Sequence, residues 1–94
     1  EAGTPVVAAA SGKVVESGYQ AHYGKMIMID HGNGLVSRYA HASEVHVNEG
    51  DLVVRGQRVA SVGSTGRSTG PHLHFEVRLN GVPQNPARFL RTPS

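Results

Sequence analysis

Met26-Ile27-Met28-Ile29-Asp30-His31-Gly32-Asn33-Gly34-Leu35-Val36-Ser37-Arg38-Tyr39-Ala40-His41 reads as strand, turn and strand. Met26 to Ile29 are apolar at consecutive positions, so both faces of an extended chain are hydrophobic there. That suits a central strand covered on two sides. His31-Gly32-Asn33-Gly34 then supplies a hairpin turn, because Asn and Gly accept the positive φ that tight hairpins require. Leu35 to His41 forms the partner strand.

The same grammar extends in both directions. Pro5 to Ala10 is an apolar run that ends at a Ser11-Gly12 turn, and Val14-Val15 begins the return. Val45, Val47, Leu52, Val53 and Val54 flank a turn at Asn48-Glu49-Gly50-Asp51, and Arg58 to Val62 is a further strand stopped by Gly63. Leu73, Phe75, Val77 and Leu79 alternate with His72, His74, Glu76 and Arg78 up to a turn at Asn80-Gly81. From Pro83 to Ser94 the chain reads as a loosely attached end with a helical turn around Arg88. No stretch holds a 3.6-residue apolar period long enough for a confident helix. Short strands at this spacing predict an all-β class: a compact, antiparallel, sandwich-like sheet domain spanning residues 1–94 as one unit.

Composition narrows the function. The 94 residues are 38% hydrophobic, enough for one modest core, and contain no apolar run approaching a membrane span. Cysteine is absent, so there is neither a disulfide framework nor a thiolate zinc site, and a transition metal would need His and carboxylate ligands. The net charge of +2 comes from scattered basic residues and does not point to nucleic acid. The start at Glu1 rather than Met reads as a processed or excised piece.

His72-Leu73-His74 carries the most chemistry. Residues two apart on a strand share a face, about 6.5–7 Å apart at the backbone. Leu73, Phe75 and Val77 would anchor one face, leaving His72, His74 and Glu76 on the other. Such a pair can hold a metal together, or one imidazole can hold it while the other moves protons. The competing reading is a half-exposed polar face. His41 closes a strand with Tyr39 and Ser37 as same-face neighbours, and a lone histidine there is more often structural than catalytic. His31 is expected to bond turn backbone, and His22 and His46 to face solvent. Asp30, Glu44, Asp51 and Glu76 form no recognisable acid/base pair.

Longer segments carry a family likeness. Gly3 to Val15, Tyr23-Gly24, Asp30 to Leu35, Tyr39-Ala40-His41, Gly50 to Gln57 and Gly63 to Val77 resemble the lysostaphin/LytM-type zinc endopeptidases. The likeness runs from about Gly3 to Leu90, and its most specific block is Gly63-Ser64-Thr65-Gly66-Arg67-Ser68-Thr69-Gly70-Pro71-His72-Leu73-His74-Phe75-Glu76. It implies an antiparallel sheet with the site in a groove above it, and hydrolysis of peptide bonds in the stems or cross-bridges of cell-wall peptidoglycan, hence a periplasmic or wall location. It also implies that His74 is a zinc (Zn2+) ligand, and that His72 and His41 are catalytic histidines beside the metal. They would pass a proton from water to the leaving amine or donate to the oxyanion.

In that family two further ligands, a His and an Asp in an H-x-x-x-D motif, lie just before the Gly-Thr-Pro-Val strand. The motif is absent from these 94 residues. The chain is therefore expected to be a fragment of an active enzyme, weak or inactive alone, with sheet edges open to self-association. A non-catalytic relative that binds the wall or activates other hydrolases is the main alternative, and retention of His41, His72 and His74 counts against it. A biotinyl/lipoyl-type carrier would need a lysine at a hairpin tip, which Lys25 matches poorly. A sugar-phosphotransfer domain using paired histidines is the third alternative.

Overall fold

The computed structural model describes residues 4–62 and 74–85, and every regular element among them is a strand. In chain order these are β1 (Thr4–Val7), β2 (Gly12–Gln20), β3 (Gly24–Gly32), β4 (Leu35–Ala42), β5 (Glu44–Val45), β6 (Leu52–Val53), β7 (Arg58–Val62), β8 (His74–Leu79) and β9 (Val82–Gln84). They form a six-stranded sheet in the order β6-β2-β3-β4-β8-β9 and a three-stranded sheet in the order β1-β7-β5. Neighbouring strands are antiparallel throughout.

The double-sided apolar run lies where its composition requires. β3 sits between β2 and β4, and Met26, Ile27 and Ile29 are fully buried while Met28 is half-buried. Ile27 and Ile29 join Val6, Ala8, Val14, Tyr39, Val53, Val59 and Ala60 in one cluster that cements the two sheets. Each buried Val or Ile side chain contributes about 1.5–3 kcal/mol by leaving water.

Both expected hairpins form through two-residue loops. Asn33 and Gly34 have φ of 56° and 83° between β3 and β4, and Asn80 and Gly81 have 52° and 82° between β8 and β9. Positive φ at both central residues is the type I′ geometry, whose twist matches that of the paired strands. The loops also meet, since Asn80 N–H donates to Gly34 O at 2.8 Å.

Two expectations are corrected. β1 does not fold back on β2; it pairs with β7 in the smaller sheet, while β2 pairs with β3 and β6. Ala8 bridges to the loop before β7, donating to Gln57 O at 2.9 Å and accepting from Gly56 N–H at 2.8 Å. The chain changes layer at residues 8–12 because Val6 and Ala8 bury themselves only by facing the large sheet across the core. Gly12 permits the crossing: a Cβ there would stand 2.5 Å from Asp30 O. The second correction is at the C-terminal side, where Pro83 and Gln84 belong to β9 rather than to a loose end. The helical turn expected near Arg88 lies outside the described residues.

Candidate active site

Strand alternation sorts the side chains of β3, β4 and β8 onto two faces. Ile27 opposite Tyr39, Ile29 opposite Ser37, and Tyr39 opposite Phe75 face the core. Met28 opposite Arg38, Arg38 opposite Glu76, and Ala40 opposite His74 share the other face. Strict alternation would send His41 inward with Ser37 and Tyr39, as the spacing predicts.

The backbone prevents this. Lys25 pairs with Ala42 but Ile27 pairs with Tyr39, so β4 carries one residue more than β3 across that step. This is a β-bulge, the device that re-aims a side chain. His41 within it has φ 62°, and its N–H donates to Tyr23 O at 2.8 Å. Its exposed ring consequently lies 6.1 Å from the His74 ring, nearly perpendicular at 77°. The expectation that Ser37 and Tyr39 are its face neighbours is therefore corrected: both are buried in the core.

A left-handed backbone at a residue bearing a side chain costs about 1–2 kcal/mol. His41→Gly is therefore expected to be more stable than His41→Ala by about 1 kcal/mol, since both lose the ring and only glycine relieves the backbone. Urea unfolding midpoints check this; equal midpoints would show that position 41 stores no strain.

Residues 1–86 match the sequence model of Peptidase family M23. The chain belongs to that family. It is 51% identical over 92 residues to the DD-carboxypeptidase/endopeptidase Mpg of Neisseria meningitidis, covering 97% of this chain and 21% of that protein. It is 45% identical over 83 residues to the peptidoglycan DD-endopeptidase ShyA of Vibrio cholerae, covering 88% and 19% respectively. The catalytic domain of lysostaphin from Staphylococcus simulans shares the fold with a TM-score of 0.84 and 40% identity, over 98% of this chain and 74% of that one. A zinc containing peptidase from Vibrio cholerae gives a TM-score of 0.81 and 37% identity, over 97% and 27%. The chain thus spans about a fifth of the length of the curated relatives it matches. The all-β, antiparallel architecture expected from the sequence is that of M23 peptidase domains.

Within this M23 domain, His74 opens β8 and its Nε2 lies 2.6 Å from Glu76 Oε2. The hydrogen bond from His74 holds the Glu76 carboxyl below its ordinary 4.5, burial works against this, and Arg38, His74 and Arg78 reinforce it by charge. An ionised carboxylate only accepts, so His74 Nε2 carries the proton and donates. In the neutral ring the lone pair then sits on Nδ1, which is the arrangement of a metal-ligating histidine anchored by a carboxylate. His74 fits zinc as one nitrogen donor. No group of three or more His, Cys, Asp or Glu able to hold a metal ion occurs among the described residues.

Two residues to which the sequence assigns no site role complete the arrangement. Arg38 Nη1 donates to Glu76 Oε1 at 3.2 Å, and its guanidinium stacks 4.4 Å above the Tyr23 ring. The Tyr23 ring lies 6.4 Å from that of His74. Tyr23, Arg38 and Glu76 thereby wall His74 on one side. Arg38 and Glu76 alternate correctly for the site face, but nothing local reveals that they oppose each other.

The remaining histidines divide. His72 and the Ser64–Pro71 loop lie outside the described residues. His22 is exposed, as expected. His46 is also exposed, yet its Nε2 bonds Ser61 Oγ at 2.8 Å. His31 was expected to bond its own turn. Instead Nδ1 donates to Ser11 O at 2.8 Å, and Nε2 meets Ser37 Oγ at 2.7 Å. Ser37 in turn meets the Tyr39 hydroxyl at 3.1 Å, which accepts from Ala9 N–H at 2.9 Å. Burial raises the Tyr39 pKa, offset in part by the bonds from Ser37 and Ala9, so the phenol keeps its proton. His31 is thus a structural link between β3, β4 and the sheet-crossing segment.

Proposed function

We propose that this chain is the catalytic domain of a zinc-dependent endopeptidase that hydrolyses peptide bonds in bacterial cell-wall peptidoglycan. The observation that carries the reading is the pairing of a strained, outward-turned His41 with His74, 6.1 Å apart between ring centres. Strained backbone at a non-glycine residue persists where function requires the side chain's position. M23 membership and relatives named as DD-endopeptidases support the substrate class. A wall substrate supports a location outside the cytoplasm, in the periplasm or at the wall. No helix among the described residues is long and apolar enough to cross a membrane.

In this reading His74 offers Nδ1 to zinc while Glu76 holds its Nε2–H and fixes the ring. Zinc held there would supply Lewis acidity toward the scissile carbonyl and the attacking water. His41, beside His74 and open to solvent, takes the proton of the attacking water or donates to the developing oxyanion, and His72 takes the complementary part. Bound peptide is oriented along the face bearing His74 and Glu76. Two further ligands, of the H-x-x-x-D type that the family likeness implies, would complete the coordination.

The test is cleavage of purified sacculi by the domain joined to an H-x-x-x-D segment that supplies the two further ligands, read as new amino groups released. Activity is expected to vanish with 1,10-phenanthroline and return on adding Zn2+. Undiminished cleavage after complete zinc removal would overturn metal dependence. Sacculus binding without new amines at saturating zinc would favour the non-catalytic, hydrolase-activating alternative.

A further inference from the structure

Next to the histidine pair, on the same sheet face, Met28, Val36, Arg38, Glu76, Arg78 and Gly81 line a cavity of about 220 Å³. Two guanidinium groups here share one carboxylate. Glu76 Oε2 is committed to His74 at 2.6 Å, and Oε1 accepts from Arg38 Nη1 at 3.2 Å. Arg78 Nη2 stands 3.8 Å from that same oxygen, beyond hydrogen-bond reach, and its side chain is 45% exposed. Arg38 Nε is buried with no acceptor among the described residues. A guanidinium carries five N–H donors, so the cavity holds donors and about one positive charge that Glu76 leaves unmatched.

We propose that this cavity is a carboxylate subsite, which binds a residue of an acidic peptide with Arg78 as the principal donor and Met28 and Val36 against its aliphatic part. The inference rests on the endopeptidase reading for its substrate and deepens it. Glu76 follows His74 by two residues, a spacing of about 6.5–7 Å along an extended strand. A peptide lying along β8 thus brings the residue about two positions from the scissile bond over the cavity. A monoanion balances the unmatched charge, whereas a phosphate dianion would meet the fixed charge of Glu76. Guanidinium is also the side chain whose planar fork matches a carboxylate.

The experiment is a titration of the 15N-labelled chain, without added metal, followed at the Gly81 amide and the Arg78 Nε–H. Three probes separate the sources of the carboxylate: acetyl-Ala-Glu-Ala-amide, acetyl-Ala-Gln-Ala-amide, and acetyl-Ala-Gln-Ala with a free C-terminus. At least one carboxylate peptide is expected to bind about tenfold or more tightly than the neutral one, and to weaken as salt rises. Arg78→Gln should bring it down to the neutral peptide's level, and Arg78→Lys, which keeps the charge but not the fork, should lose part of the preference. Equal binding of all three probes, no saturable shift with either carboxylate peptide, or undiminished preference in Arg78→Gln would each overturn the subsite. The readout needs neither zinc nor cleavage. A chain that prefers carboxylates but never cuts sacculi sinks the enzymatic reading alone, and one that cuts sacculi without this preference sinks the subsite alone.

Discussion

In the domain joined to an H-x-x-x-D segment that supplies the two further ligands, replacing His41 with alanine is expected to lower peptidoglycan cleavage by about 10²–10⁴-fold while leaving the zinc content unchanged. His72→Ala should behave in the same way, whereas His74→Ala should lose zinc and activity together. The loss for a group that only moves protons corresponds to about 3–5 kcal/mol of barrier. The split follows from the positions of the rings. His74 is the imidazole backed by a carboxylate, with Nε2 held by Glu76 at 2.6 Å and Nδ1 left to coordinate. His41 sits in a bulge with a left-handed backbone that turns its exposed ring toward His74. Metal analysis by mass spectrometry and amine release from sacculi check both halves. Zinc retained in His74→Ala, or wild-type turnover in His41→Ala, would remove the assigned roles.

The second large effect concerns folding. Tyr39→Ala is expected to cost about 3–5 kcal/mol, a large part of the 5–15 kcal/mol by which a small domain is stable. Tyr39 is 2% exposed, joins the cluster between the sheets, and packs its ring 5.1 Å from that of Phe75. Tyr39→Phe keeps the ring and isolates the hydroxyl. Its expected cost is about 1–3 kcal/mol, because Ala9 N–H and Ser37 Oγ lose their shared partner in a buried setting. Ala9 N–H and Ser37 Oγ both donate to the Tyr39 hydroxyl, and Ser37 in turn meets His31 Nε2, whose Nδ1 reaches Ser11 O. Urea unfolding of the two variants checks the ordering; a Tyr39→Phe variant as stable as wild type would show that the hydroxyl contributes nothing net. Phe75 lies between His74 and Glu76 in β8, so a void at Tyr39 is also expected to loosen the candidate site.

Much of this was legible because it is local. Asn33-Gly34 and Asn80-Gly81 are turn chemistry readable from two residues each, and both adopt the positive φ that the pairs favour. The run at Met26–Ile29 announced a strand covered on both sides, and β3 is central. The pairing of β1 was misread because adjacency in sequence suggests a hairpin, whereas burial of Val6 and Ala8 requires a second layer. For the candidate site, the motif proposes His41 and His74, but alternation assigns the face of His41, and a single inserted residue in β4 reverses that assignment. The role of Arg38 is not legible because an arginine on a strand is ordinary until its cross-strand partner is known, and Tyr23 stands out only as part of a family-like segment.

The sequence by itself determined that the chain forms short antiparallel strands, where they turn, and which imidazoles are worth following. Alternation, turn propensity and residue chemistry act over a few neighbouring positions and need no fold to be read. Only the tertiary structure decided that β1 crosses to the smaller sheet, that a bulge turns His41 toward His74, and that Arg38 and Arg78 converge on Glu76. Register and bulges are set by packing between segments distant along the chain, so one residue of offset moves a side chain from core to surface.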